Sequence, residues 1–244
     1  MIFIKNYLLI LIIRISNKFG RGLILKKKIF SSQSIMEINF QENENFNFIQ
    51  VGANDGISFD FLYSFVIKRK SKGVVIEPVF DYFKALQNNY KDFSEIIKVN
   101  KAVHPFEEEI VINKIAPDAI EKYPDWVKGI ASIDSEHHLK TGIDSGDIIQ
   151  EIVNASTLMD IVNTNYRFGK LDYFQIDTEG FDYEVVKMID FDTIKPRIIK
   201  YESVNLNLEN QKKLIVLLKK HGYYLFQEFG DTVGINLSKV KLYK

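Results

Sequence analysis

The chain has no cysteine, which excludes a disulfide framework, a thiolate metal site and a cysteine nucleophile, and fits a reducing compartment. Histidine is scarce as well. His104, His137, His138 and His221 follow no HExxH-like spacing, so the pattern points to no metal ligands and gives a zinc enzyme little support. Long apolar runs are missing. Tyr7 to Ile13 is closed off by Lys5 and Arg14 and falls short of the ~18 residues that a membrane span needs. The Arg14-Ile15-Ser16-Asn17 stretch behind it offers no small-residue cleavage site, which argues against a signal peptide. No repeat period is present either.

What is there is ordinary globular material. At 244 residues, 46% hydrophobic and 26% charged, the chain can bury one sizeable core but hardly two. Its formal charge of zero hides an asymmetry, because residues 1–30 carry Lys5, Arg14, Lys18, Arg21, Lys26, Lys27 and Lys28 and no acid. Downstream, 25 basic residues face 32 acidic ones. A body of that sign repels phosphate backbones and argues against a nucleic-acid partner. The leader, 1–30, reads as a basic apolar helix that either lies on an anionic membrane surface or packs on the domain's own core. A cytoplasmic location, peripheral at the membrane in the first case, is the expectation. Residues 31–45 are polar and read as a linker.

From residue 46 the pattern becomes strand, glycine turn, helix. Phe46 to Val51 is a short apolar run that enters Gly52-Ala53-Asn54-Asp55-Gly56, and Phe61, Leu62, Phe65 and Val66 follow at helical spacing. The two glycines permit positive φ, while Asn54 and Asp55 tolerate the left-handed region, so the turn can hold a ligand against bare backbone. Gly73 to Ile76 is the next strand and ends in Glu77-Pro78, with a helix over 79–90 behind it. Strands follow over 96–103 and 109–113. Residues 114–148, with Pro117, Pro124 and three glycines, read as an irregular insertion on the substrate side. Trp126, Ser132, His137 and His138 in that insertion are candidate substrate contacts. Regular spacing then returns: a strand over 149–154, a helix capped by Ser156 or Thr157, a strand over 171–176 ending in Asp177-Thr178-Glu179-Gly180, and a helix. A strand over 198–201 ends in Glu202, a helix spans 210–221, and a hairpin closes around Gly230-Asp231-Thr232. This alternation predicts an α/β, Rossmann-like fold, a mostly parallel sheet with an antiparallel C-terminal hairpin, occupying residues 46–244.

In such a sheet ligands bind beyond the carboxyl ends of the strands, where strand order reverses. Here those ends carry Gly52 to Gly56, Glu77, Asp177 to Gly180 and Glu202. Glu77 lies about 20 residues beyond the glycine turn, where a nucleotide-binding unit places the acid that holds ribose hydroxyls. The dinucleotide fingerprint is broken, with Gly52, Asn54 and Ile57 at its three glycine positions, and Asp55 would sit beside any phosphate. A nucleoside ligand without phosphates fits better, and S-adenosylmethionine, with ammonium and sulfonium charges and a ribose diol, suits these carboxylates.

Three motifs in this order, Val51-Gly52-Ala53-Asn54-Asp55-Gly56, Ile76-Glu77-Pro78 and Ile176-Asp177-Thr178-Glu179-Gly180, resemble the FkbM-type S-adenosylmethionine-dependent methyltransferases. The resemblance covers about residues 46–237, and Pro124-Asp125-Trp126 to Ser132 is similar to a segment of some members. It implies the seven-stranded class I methyltransferase fold and methylation of a hydroxyl group on a small molecule, often a sugar, glycan or glycolipid precursor. Gln50 departs from the acid that many members carry before the turn. On this reading Gln50, Gly52, Ala53, Asn54, Asp55, Gly56, Glu77 and Pro78 hold the cofactor. Asp177 and Glu179 do the chemistry, Glu202 borders the acceptor, and no metal takes part. Two rivals remain in view: a non-catalytic Rossmann-like binding module of a glycan-assembly system, and an NAD-type oxidoreductase, which the broken fingerprint disfavours. The acceptor and the oligomeric state are not written in the sequence.

Overall fold

The computed structural model describes residues 1–58, 61–127 and 129–243, with the Trp126 side chain also outside the description. Three helices come first: α1 (Ile2–Asn17), α2 (Gly22–Ile29) and α3 (Ser32–Asn39). Then follow β1 (Asn45–Val51), α4 (Leu62–Val66), β2 (Lys70–Ile76), α5 (Phe80–Asn89) and β3 (Ile96–Val99). An inserted unit holds β4 (Ala102–Val103), β5 (Glu109–Ile115), β6 (Ala131–Ser132), α6 (His137–Thr141) and β7 (Ile148–Ser156). The chain finishes with α7 (Leu158–Asn165), β8 (Tyr173–Ile176), α8 (Asp182–Lys187), β9 (Ile198–Glu202), α9 (Leu208–Lys220), β10 (Tyr223–Glu228) and β11 (Asp231–Asn236).

The main sheet has seven strands in the order β10-β11-β9-β8-β1-β2-β3. Strands β3, β2, β1, β8 and β9 are mutually parallel, and β11 runs antiparallel to both β9 and β10, so it alone is reversed. This is the Rossmann-like class I methyltransferase fold, a mostly parallel sheet closed by an antiparallel hairpin. Because successive side chains point to opposite faces, each central strand feeds two cores. Phe46, Phe48, Val75, Tyr173 and Ile198 pack on one side with α3, α4 and α5. Ile49, Val51, Val74, Phe174, Ile176 and Ile199 pack on the other with α7, α8 and α9. Both faces of β1 and β8 are therefore covered, as their near-continuous apolar runs require. The helices start where their caps dictate: the Thr157 side chain accepts from the Asp160 N–H at 3.2 Å, and Asn207 accepts from the Asn210 N–H at 2.9 Å.

Several elements differ from the sequence expectations. Residues 31–45 are not a bare linker: α3 buries Ile35 and Met36, capped by Ser31 and followed by a buried Phe40. Their spacing places the apolar residues on one helix face despite the polar composition around them. The expected strand over 96–103 is two strands in two sheets, β3 and β4, because the chain breaks pairing at Asn100 and Lys101. Residues 109–113 and 149–154 do form strands, but they pair with each other in a second, four-stranded sheet of order β4-β7-β5-β6. That sheet and a small apolar cluster of Ile115, Ala119, Val127, Ile130 and Ile143 give the 114–148 segment more structure than its composition suggests. The sheet is fastened beside the β2 end: Lys114, buried, lies 2.5 Å from Glu151, whose other oxygen accepts from the Phe80 N–H at 3.1 Å.

Candidate active site

β1 lies between β2 and β8, the point at which strand order reverses, and a cavity of about 410 Å³ opens beyond the carboxyl ends of these three strands. The glycine turn forms its floor. Gly52 has φ 75°, and a Cβ there would collide with the backbone carbonyl of Asp177, so only glycine lets the ends of β1 and β8 come this close. The N–H groups of Gly52 and Ala53 both donate to the Ile76 carbonyl at 3.0 Å, which folds the turn over the end of β2.

Glu77 locks that arrangement. Its Oε2 accepts from the Asn54 N–H at 2.8 Å and its Oε1 from the Val79 N–H at 2.9 Å, so one carboxylate ties the turn after β1 to the turn after β2. Glu77 is 4% exposed yet lines the cavity, and burial pushes its pKa up to about 7 despite the two backbone donors. Each of its oxygens has a second lone pair for a ligand. Gln50, Gly52, Ala53, Asn54 and Pro78, all expected at the cofactor, also line the cavity. Asp55 and Gly56 are not among the lining residues. Asp55 turns back on its own chain, accepting from the N–H groups of Ile57 and Ser58 at 2.9 and 2.7 Å and from the Ser58 hydroxyl at 2.7 Å. Gly56 makes room instead for Leu86 and Tyr90. The turn needs both residues for its shape.

β8 delivers the opposite wall. Asp177 has accessible surface because it opens into the cavity, while protein surrounds it on nearly every side. That enclosure, followed by the charges of Glu202 and Glu179, raises its pKa well above the usual carboxylate range. Glu179, in the left-handed region at φ 52°, also lines the cavity. Asn205 donates to Glu179 Oε2 at 3.0 Å and to Glu202 Oε2 at 2.9 Å, bridging the two acids. Burial and the neighbouring Glu179 push Glu202 up to about 8.

The insertion reaches this wall. Ser132, buried, donates its hydroxyl to the Glu179 carbonyl at 2.9 Å, and Asn54 donates to the Gly129 carbonyl at 3.2 Å. His137 Nε2 lies 3.0 Å from Glu179 Oε2 but is not aligned as a hydrogen bond. Ser132 and His137 thus join the acid cluster. His138 does not, because its ring is taken by the Ser145 hydroxyl at 2.8 Å. Trp126, expected to face the substrate, has a side chain outside the described residues.

Sequence reasoning missed the residue that holds the cluster together. Asp182, fully buried, accepts from the Thr178 N–H and hydroxyl at 3.1 and 2.7 Å and from the Glu202 N–H at 3.0 Å, so it ties the end of β8 to the end of β9. Burial lifts its pKa to about 6 against those three donors. Its only local signal is an acid at the start of a helix. Tyr82, Lys101, Gln175 and Phe181 also line the cavity without having been singled out.

Among curated proteins none matches this sequence. Among the solved structures that are similar in part are the following three. A methyltransferase FkbM from Methylobacillus flagellatus KT is 14% identical with a TM-score of 0.48, and the match covers 78% of this chain but 43% of that one. A precorrin-6y C5,15-methyltransferase from Geobacter metallireducens GS-15 is 13% identical with a TM-score of 0.40, covering 86% of this chain and 90% of that one. M. capricolum TrmK in complex with S-adenosyl-homocysteine is 11% identical with a TM-score of 0.40, covering 87% and 71%. The sequence itself matches the methyltransferase FkbM domain over residues 50–225, from the end of β1 into β10. The chain therefore belongs to the FkbM methyltransferase domain family, with S-adenosylmethionine as its cofactor.

Proposed function

We propose that the protein methylates a hydroxyl group, on a small molecule such as a sugar, glycan or glycolipid precursor, and that the cavity beyond β1, β2 and β8 is where it does so. The cavity suits the cofactor. Three carboxylates, Glu77, Asp177 and Glu179, line it against the single cation Lys101 among the described residues, which favours an ammonium and sulfonium ligand over a pyrophosphate. Glu77 has free lone pairs for a ribose diol, and the Gly52 turn offers bare backbone. When bound there, S-adenosylmethionine supplies an activated methyl group and leaves as S-adenosylhomocysteine.

The observation that carries the reading is Asp177, a carboxylate at the end of the central strand that opens into the cavity, where burial and the neighbouring acids raise its pKa well above the usual carboxylate range. Methylating a hydroxyl requires the acceptor oxygen to be held in line and its proton to be removed. Asp177 would take that proton. Glu179, steadied by Asn205 and beside His137, would position the acceptor, and Asp182 would hold Thr178 and Glu202 in register. A wall of acids also disfavours a phosphate-rich acceptor.

Incubation with methyl-labelled S-adenosylmethionine and a panel of free sugars, nucleotide sugars, glycolipid precursors, RNA and protein tests this. A base-stable methyl ether on a hydroxylated acceptor, lost in Asp177→Asn, is expected. Label entering only RNA or protein nitrogen would overturn the reading.

A further inference from the structure

No helix among the described residues is long and apolar enough to cross a membrane, yet the N-terminal helices leave more large apolar side chains exposed than any other part of the chain. One side of α1 is firmly docked. Asn6, fully buried, donates its side-chain amide to the carbonyls of Leu237 and Val240 at 2.9 and 2.6 Å and accepts from the Leu242 N–H at 3.3 Å, while Ile10 and Ile13 join the core. The other side is exposed. At 3.6 residues per turn, Ile4, Leu8, Leu11 and Ile15 share one stripe opposite Asn6, Ile10 and Ile13, and they are between 41% and 62% exposed. Beyond the helix end, Phe19 is 78% exposed, and Leu23 and Ile24 on α2 are exposed as well.

Charge is arranged around this stripe. By the same periodicity Lys5 and Arg14 fall on its two flanks, Lys18 and Arg21 lie at the turn, and Lys27 and Lys28 are exposed on α2. No acid occurs in residues 1–30. An apolar ridge rimmed only by cations matches the acyl boundary and anionic headgroups of a bilayer surface. A second copy of the same face is a poor partner, because an isologous contact would bring two cationic rims together.

We propose that the outward face of α1 and α2 is a peripheral docking surface for an anionic lipid bilayer, with α1 lying parallel to the membrane and the catalytic domain suspended from it by the Asn6 contacts. The proposal is independent of which acceptor is methylated. It places the enzyme where a lipid-linked acceptor would be presented.

Vesicle sedimentation with the full chain tests it. Phosphatidylcholine vesicles containing phosphatidylserine should bind at least about 10-fold more tightly than pure phosphatidylcholine, and high salt should remove most of that difference. Leu8→Glu with Leu11→Glu, both at exposed positions, should weaken binding at least about 10-fold without lowering the melting temperature. Val216→Glu, on the exposed side of α9, should change nothing. Should the double variant prove poorly folded, Lys18→Glu with Arg21→Glu gives the second arm, with a loss of about fivefold or more per reversed charge on anionic vesicles only. Equal binding by wild type and both variants would overturn the proposal, as would indifference to lipid charge. So would a dimer that the leucine substitutions dissociate in a protein that binds no vesicles.

Discussion

Replacing Glu77 by Gln keeps the side chain's size but removes one acceptor oxygen and the charge, and the two losses act differently with pH. The carboxamide oxygen can serve only one of the Asn54 and Val79 N–H groups, and the other then faces an NH₂. A buried donor left without an acceptor costs about 1–3 kcal/mol. Against this stands the burial of the charge. Glu77 has a folded pKa of about 7 against an ordinary value of 4.5, so the folded chain holds its proton more tightly than the unfolded one. Its stabilising contribution is fully present below about pH 4.5 and is lost as pH rises through about 7. A rise of that size corresponds to about 3 kcal/mol, which the wild type gives up between acid and mildly alkaline pH and the Gln variant does not. Urea unfolding of both proteins from pH 5 to pH 8 should therefore find the variant clearly less stable at pH 5, with the gap closed or inverted at pH 8. Parallel profiles would refute the reasoning, because they would mean that Glu77 does not titrate across this range. A separate readout addresses the ribose: loss of charge-assisted hydrogen bonds worth about 1.5–3 kcal/mol should weaken S-adenosylhomocysteine binding by about 10- to 100-fold. Unchanged affinity in the folded variant would remove Glu77 from the cofactor site and leave its structural role standing.

Asp177→Asn should lower methyl-transfer turnover by about 10²- to 10⁴-fold with little change in cofactor affinity, whereas an intact turnover beside an inactive Glu179→Gln would reverse their roles. Because the pKa of Glu202 is pushed up to about 8, this acid beside Glu179 gains its charge as pH climbs through that value. Affinity for S-adenosylmethionine, with its extra sulfonium charge, should then rise with pH more steeply than affinity for S-adenosylhomocysteine, and calorimetry with a constant ratio would contradict this. Gly52→Ala should destabilise the fold and abolish cofactor binding, since the new methyl group meets the Asp177 carbonyl and the backbone is left-handed, a strain of about 1–2 kcal/mol before any collision. Asn6→Ala leaves three buried backbone groups without partners and should cost on the order of 2–4 kcal/mol, visible as early proteolysis within α1.

The parts of the site that were legible in the sequence are those written in consecutive residues. A strand that runs into Gly52, a strand that ends in Glu77 and a strand that ends in Asp177 each declare themselves locally, and the parallel fold then brings their ends together. Asp55 is ambiguous for the same reason. A short acid in a turn reads alike whether it serves a ligand or, as here, its own following amides. What the sequence hid depends on pairing between distant segments. Asp182 finds the Glu202 amide only because β8 and β9 are neighbours, and Glu179 finds His137 only because the insertion folds over the cavity. Periodicity likewise identified residues 109–113 as a strand, but nothing local says that its partner is β7 and not the main sheet.

The central claim is that the cavity at the ends of β1, β2 and β8 holds S-adenosylmethionine. A crystal structure of the protein with S-adenosylhomocysteine tests it most directly. The nucleoside is expected in this cavity, its ribose diol on the free lone pairs of Glu77, its backbone-facing side against Gly52 and its sulfur toward Asp177. S-adenosylhomocysteine bound elsewhere, or bound here with its diol on another acid while Glu77 keeps only the amides of Asn54 and Val79, would contradict it.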